Sequence, residues 1–261
     1  MTTPRLQAAL LSEQWLSGKL LADALPVNCI QIAESLGIKV QGAALEDEFQ
    51  GALFITSNVK AIIYNQNIKE DGRKNFTIAH EIGHFCLHLD REEVHCRLED
   101  MDTFSLTPHG KDIEKEANDF AAYLLMPEKD IKQQLLGRNL DIKLVLELAL
   151  RYGTTVTATA CQMVNVSDTP LAIVMLNEDN STKWCFRNSH FRGFFIKKGT
   201  PINIDEHLPE QQSSTRQDIW FPHPIKNIWE LKGSSLDMEE YKQRIYIISG
   251  SKPNVINPTS M

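Results

Sequence analysis

Residues 75–89 read NFTIAHEIGHFCLHL, and the five at the centre, His80-Glu81-Ile82-Gly83-His84, decide how the first half of the chain folds. The segment has no proline, and Phe76, Ala79, Gly83, Cys86 and Leu87 recur at helical spacing, which predicts a helix with one side buried. On such a helix two histidines four residues apart stand about 40° apart around the axis, so both imidazoles can point at one metal ion. Glu81, about 100° from His80, then reaches a water on that ion and not the ion itself. Zinc lowers the pKa of such a water toward neutrality, and a carboxylate beside it can take the proton and later hand it to a leaving amine. The bare pattern also arises by chance. An apolar face bordering the histidines is the context a catalytic site on a rigid element needs.

The rest of the composition narrows the field. At 261 residues the chain can bury a sizeable core, as one large domain or two to three small ones. A formal charge of −7 and a pI near 5.6 argue against a broad nucleic-acid-gripping face. The start, MTTPRLQAALLSEQWLSGKLL, has neither an uninterrupted apolar core nor a small-residue cleavage site, so no signal peptide, spanning helix or membrane attachment is expected. Cys29, Cys86, Cys96, Cys161 and Cys185 are odd in number and contain no C-x-x-C pair, the usage of reduced thiols in a cytoplasm. Cys86 and Cys96 lie near enough to the motif to be weighed as ligands; Cys86, six residues after His80, points about 120° away from it and reads as core.

Along the chain, residues 5–24 predict an amphipathic helix, and Asn28 with Gln31 starts a short one that stops at Gly37. GALFIT at 51–56 and VKAIIYN at 59–65, separated by Ser57-Asn58, read as a hairpin before the motif helix. A strand there matters, because metalloproteases hold extended substrates against a sheet edge by strand addition. Asp90 to Lys111 reads as an acidic loop, followed by a helix, DIEKEANDFAAYLLMPE, ended by Pro127. A helical segment at roughly 139–150 leads through Tyr152-Gly153 into TTVTATACQMV, an arrangement of helix-turn-helix length. From Asp168 the chain turns to β-type runs, LAIVML, TKWCFR, FFIKKG and RIYIIS, and SKPNVINPTSM reads as a frayed end. The division expected is therefore a peptidase domain at 1–130, a helical helix-turn-helix-like segment at 131–167 and a β-rich regulatory or recruitment domain at 168–261, an α+β chain overall.

Two histidines leave a tetrahedral zinc short of a protein ligand if water takes the fourth place. Asp90 lies six residues after His84, but a ligand at that distance needs a glycine where the chain turns, and Leu87 stands there. The helix beginning near Asp112 offers Glu114 and Glu116. Glu114 borders the apolar face of Ile113, Ala117, Phe120 and Leu124, whereas Glu116 shares a stripe with Asp112, Asp119 and Tyr123 and reads as a surface residue. Ala117, Ala121 and Ala122 would let this helix approach the motif helix closely, and Asn118 could accept from the second nitrogen of a ligating imidazole.

RKNFTIAHEIGHFCLH followed by IEKEANDFAAYLLMP resembles the ImmA/IrrE family of metallopeptidases, gluzincin-like proteins of bacteria and their mobile elements, over residues 20 to 165. The resemblance implies a zincin-like peptidase fold, zinc on His80, His84 and Glu114, and Glu81 as general base. It also implies a helix-turn-helix segment followed by a GAF-like domain, which residues 170–261 match only loosely. The function expected is a cytoplasmic zinc endopeptidase whose protein substrate is a helix-turn-helix transcriptional repressor, cut to derepress genes; the repressor comes from the resemblance alone. Two other classes compete. One is a non-proteolytic, zinc-containing regulator or sensor that binds DNA or a protein partner, yet only Lys143, Arg151 and the threonine-rich 154–159 stretch could meet phosphates, too few for a DNA reader. The other is a toxin–antitoxin partner acting by occlusion, which would not need Glu81. His190, His207 and His223 stand apart, with no ligand spacing, and read as structural.

Overall fold

The computed structural model describes residues 3–20, 24–46, 49–88, 93–97, 111–203, 208–221 and 230–251, with 93–97 and 111–112 as backbone. Among these, α-helices and two sheets make a mixed α+β chain in two compact units, Met1–Ile131 with Glu147–Gln162, and Lys132–Leu146 with Met163–Met261. Asp90, most of the acidic stretch up to Lys111, His207, His223 and the last ten residues lie outside the described residues. No described helix is long and apolar enough to cross a membrane.

In the first unit, α1 (Pro4–Leu16) starts on the Thr3 side chain, which accepts from the Leu6 N–H. The helix expected to run to residue 24 ends early, because Gly18 adopts φ +75 and turns the chain in a conformation that few other residues take cheaply. Asn28 caps α2 (Cys29–Ser35) by accepting from the Gln31 N–H at 3.0 Å, and Gly37 follows it with φ +76. The expected hairpin forms between β2 (Phe49–Ile55) and β3 (Lys60–Asn65), with Ile55 opposite Lys60. Two further strands complete the sheet: β1 (Lys39–Ala43), parallel to β3, and β4 (Glu93–Arg97), antiparallel to β2, in the order β1-β3-β2-β4. Residues 93–97 were expected in a loop. Their pairing with β2 is non-local, and the acidic composition around them hides it.

The motif helix, α3 (Asp71–Leu87), lies against β2 and β3, and α4 (Lys111–Leu125) packs on α3. Every residue of α3 from Phe76 to His84 is buried. Gly83 explains how close the two helices come: a Cβ there would stand 3.1 Å from Phe120 Cδ1, 3.2 Å from Ala117 Cα and 3.3 Å from Ala117 O. Past Pro127 the chain starts a helix that the sequence reading did not anticipate, α5 (Glu128–Leu135), with the Ile131 N–H donating to Pro127 O. Proline halts one helix and suits the first turn of the next, where an N–H would be unbonded anyway. Helices α6 (Ile142–Tyr152) and α7 (Val156–Val166) are joined by three residues beginning at Gly153, φ +60. Within this unit Asp130 is buried and accepts from Arg151 Nε at 3.0 Å, Arg151 Nη2 at 2.9 Å and the Tyr152 hydroxyl at 2.6 Å.

The second unit is built on an antiparallel sheet of β5 (Leu171–Asn177), β6 (Thr182–Arg187), β7 (Ser213–Thr215), β8 (Glu230–Met238) and β9 (Gln243–Ser251), in the order β6-β5-β9-β8-β7. Val174 pairs with Tyr246 and Ala172 with Ile248, which puts these four on one face under Phe191, Phe194, Trp220 and Phe221. Trp220, in the short helix α8 (Gln217–Trp220), gives its indole N–H to Thr215 Oγ1 at 2.9 Å. FFIKKG is a correction: Phe194 and Ile196 are buried and Phe195 is exposed, the alternation of a strand, but no ladder forms. Gly193 and Gly199, both at positive φ, bracket it, and the pairing beside it is local: Thr182 with Gly199 and Thr200, next to an isolated bridge of Ser181 with Pro201. The first residues of α6 belong to this unit: Asp141 accepts from the Leu144 N–H at 2.9 Å and the Gln212 N–H at 3.1 Å, capping the helix and tying down a loop.

Candidate metal centre

His80, Glu81 and His84 sit on the buried side of α3 with no exposure at all. Two imidazoles and a carboxylate in such a place are costly unless each meets a partner. One turn into α4, Glu114 comes across the helix–helix contact with its side chain 13% exposed, and its Oε2 lies 3.2 Å from His80 Nε2 and 3.3 Å from His84 Nε2. The two Nε2 atoms are 2.9 Å apart. Among the described residues these three form a group able to hold a metal ion. A tetrahedral zinc with bonds of about 2.0–2.1 Å separates its ligand atoms by about 3.3 Å. The observed edges of 2.9, 3.2 and 3.3 Å are of that size, so the donor set and its spacing fit such an ion.

The bond made by the other nitrogen of His80 supports the same fit. Asn118, one turn beyond Glu114, presents Oδ1 at 2.9 Å from His80 Nδ1, so Nδ1–H donates and the Nε2 of the neutral ring carries the lone pair, aimed at Glu114 and His84. Burial works against charge on His80, but the hydrogen bond with Glu114, the charge of Glu81 and that of Glu114 prevail and raise its pKa. His84 moves the other way: burial lowers it, and the neighbouring His80 and His88 add to that against the pull of Glu114. Burial would raise Glu114, yet its bonds and attraction to the two histidines hold it well below the ordinary carboxylate range.

Glu81 is placed by a different neighbour. Strand β2 passes so close beneath α3 that a Cβ on Gly51 would be 2.6 Å from Thr77 Cγ2 and 3.3 Å from Glu81 Oε1. The carboxylate therefore lies over β2, the strand next to β4, and near enough to His80 for its charge to be felt there. Glu116, read from the sequence as a surface residue, is 48% exposed, but its Oε2 is 3.0 Å from His88 Nε2. His88 was missed by sequence reasoning. Its spacing of four from His84 and eight from His80 was the available signal, since all three then share one side of the helix. Cys86 is partly buried, remains a free thiol, and is not part of the metal-competent group. Cys96 has no described side chain, and His190 is exposed.

Residues 33–163 match the peptidase-family model described as an IrrE N-terminal-like domain. The chain belongs to that family. The IrrE-like region contains β1 to β4, α3, α4 and the whole of the cluster, and it makes this protein a member of a peptidase family with a site able to hold a metal. A solved structure, a Mycobacterium tuberculosis transcriptional regulator, matches with a TM-score of 0.54 at 12% identity, covering 94% of this chain and 76% of that one. At that identity the likeness is one of fold. No curated protein matches the sequence.

Proposed function

We propose that this chain is a zinc-dependent endopeptidase in which His80, His84 and Glu114 hold the metal, Asn118 orients His80, and Glu81 is the general base. The observation that carries the reading is the triangle of donor atoms at 2.9–3.3 Å beside a wholly buried Glu81, in a chain of a peptidase family. When bound, zinc would supply a Lewis acid and acidify a water toward neutrality. Glu81 takes the proton of the attacking water on a carboxylate oxygen and returns it to the amine nitrogen as the peptide bond breaks, so that one water is consumed per bond cut. The His80–Asn118 bond keeps that ring in the tautomer whose Nε2 can ligate. Burial around Glu81 keeps competing water from the carboxylate. Among the described residues β4 has a neighbour on one side only, and an extended substrate would pair along its other side.

The substrate we infer is a helix-turn-helix repressor, cut in the cytoplasm to release the genes it holds down. Support comes from the resemblance to ImmA/IrrE metallopeptidases and from a fold neighbour that is a transcriptional regulator. The peptidase part is the zincin-like domain at 1–130. The helical segment 131–167 and the part from 168, whose antiparallel sheet carries a GAF-like reading, would recruit the substrate or control the cut. Free thiols at Cys29, Cys86, Cys161 and Cys185 suit that compartment. The test is Glu81→Gln, assayed by zinc content, by capture of a helix-turn-helix repressor, and by that repressor's cleavage. Zinc and capture should persist while cleavage falls by about 10²–10⁴-fold. Full biological activity in that variant would sink the peptidase reading in favour of a non-proteolytic regulator.

A further inference from the structure

His88 closes α3, with its backbone N–H bonded to His84 O at 2.8 Å, and its ring is held on both sides. Nδ1 lies 3.1 Å from His84 Nδ1, and Nε2 lies 3.0 Å from Glu116 Oε2. The His88 side chain is 8% exposed, and Glu116 reaches its ring from a half-exposed position. The direction of each bond follows from the chemistry of its end. A carboxylate can only accept, so the proton of the His88 ring sits on Nε2 and points at Glu116. In the neutral ring Nδ1 is then an acceptor, and the proton between the two histidines belongs to His84 Nδ1. His84 Nε2 is left with the lone pair, 2.9 Å from His80 Nε2 and 3.3 Å from Glu114 Oε2.

We propose that Glu116 and His88 form a relay that fixes the proton on His84 Nδ1 and so aims His84 Nε2 at the metal. The inference rests on the metal-site reading above and deepens it. His88 and Glu116 are positioning residues: neither is in the metal-competent group. The arrangement gives each histidine of the cluster its own acceptor, Asn118 for His80 and His88 for His84, both supported from α4, the helix that also brings Glu114. One helix therefore supplies a ligand and sets the tautomer of the two others. Glu116, though half exposed, matters because it decides which nitrogen of His88 accepts.

The test measures zinc affinity of the full chain by competition with a chromophoric chelator, with the visible spectrum of the cobalt-loaded protein and the melting temperature of the metal-free protein read alongside. His88→Phe keeps an aromatic ring at the position and removes both nitrogens. It should weaken zinc by about 10–100-fold and change the cobalt spectrum with little change in melting. Glu116→Leu removes the acceptor at an exposed position where folding is not at risk, and should weaken zinc at least threefold; Glu116→Gln, whose amide oxygen still accepts, should restore affinity to near the wild-type value. His88→Phe binding zinc as tightly as wild type, with an unchanged cobalt spectrum, overturns the relay. If His88→Phe does not fold, Glu116 decides: equal affinity in the leucine and glutamine variants overturns it. Wild-type protein that takes up no zinc or cobalt overturns the metal reading itself, an outcome distinct from wild type and variants binding alike.

Discussion

Gly83→Ala tests whether the approach of α4 to α3 is what assembles the cluster. The added methyl would meet Ala117 Cα at 3.2 Å, Ala117 O at 3.3 Å and Phe120 Cδ1 at 3.1 Å, and two of these three atoms are backbone that cannot rotate away. Ordinary carbon contacts begin near 3.5 Å, so α4 has to yield by about 0.3 Å. Overpacking of this kind costs about 1–3 kcal/mol, while alanine in place of glycine inside a helix returns about 1 kcal/mol. The net is a loss of about 1 kcal/mol, or about 2–4 °C in melting temperature for a unit of this size. The second effect is on the site. Glu114 rides on α4, and a displacement of about 0.3 Å exceeds the roughly 0.2 Å tolerance of a metal–ligand bond, so zinc affinity should fall as well. Thermal unfolding of the metal-free protein in chelator gives the first quantity and competitive zinc titration the second. A variant that melts at or above the wild-type temperature and binds zinc equally well would refute the argument that Gly83 sets the helix separation.

Glu114→Ala should purify without zinc, whereas Glu116→Ala should still load about one equivalent at saturating zinc; metal analysis giving the reverse pattern would reassign the third ligand. Asp130→Ala should destabilise the protein by about 1–3 kcal/mol, chiefly by leaving the Tyr152 hydroxyl without its acceptor, since Arg151 is 31% exposed and water can replace its half of the bond. Equilibrium unfolding in urea would show it, and a wild-type midpoint would contradict it. Burial pushes the Cys86 and Cys185 thiols up to about 11 and Cys29 up to about 12, and raises Cys161 too. A raised thiol pKa means thiolate is scarce below it, about a thousandth of the thiol at pH 8 when the pKa is 11. Folded Cys96→Ser protein should therefore react slowly with a disulfide reagent at pH 8 and faster as the pH approaches 11, and rapid reaction of any of its four thiols at pH 8 would count against the burial described.

The sequence carried whatever depends on residues close together along the chain. The spacing of His80, Glu81 and His84 on one helix, the Asn28 cap, the Ser57-Asn58 hairpin and the left-handed glycine at Gly37 are all set by backbone geometry over a few residues. Helical phase likewise favoured Glu114 over Glu116, because burial of Ala117, Phe120 and Leu124 fixes which side of α4 faces inward. What the sequence did not carry is what arises between distant segments. Strands β1 and β4 take their partners from β3 and β2, and no local periodicity announces either pairing. FFIKKG had the alternation of a strand, and its hydrogen bonds went elsewhere. The convergence of three donor atoms within 3.3 Å, and the passage from Glu116 through His88 to His84, exist because a glycine on one helix lets another come within van der Waals reach. Side chains able to bind a metal and their spacing on one helix are local properties and can be read from the order of residues. The third donor and the tautomers of the first two depend on side chains from a second helix, and only close packing, which acts over distances of ångströms and without regard to sequence separation, brings those into place.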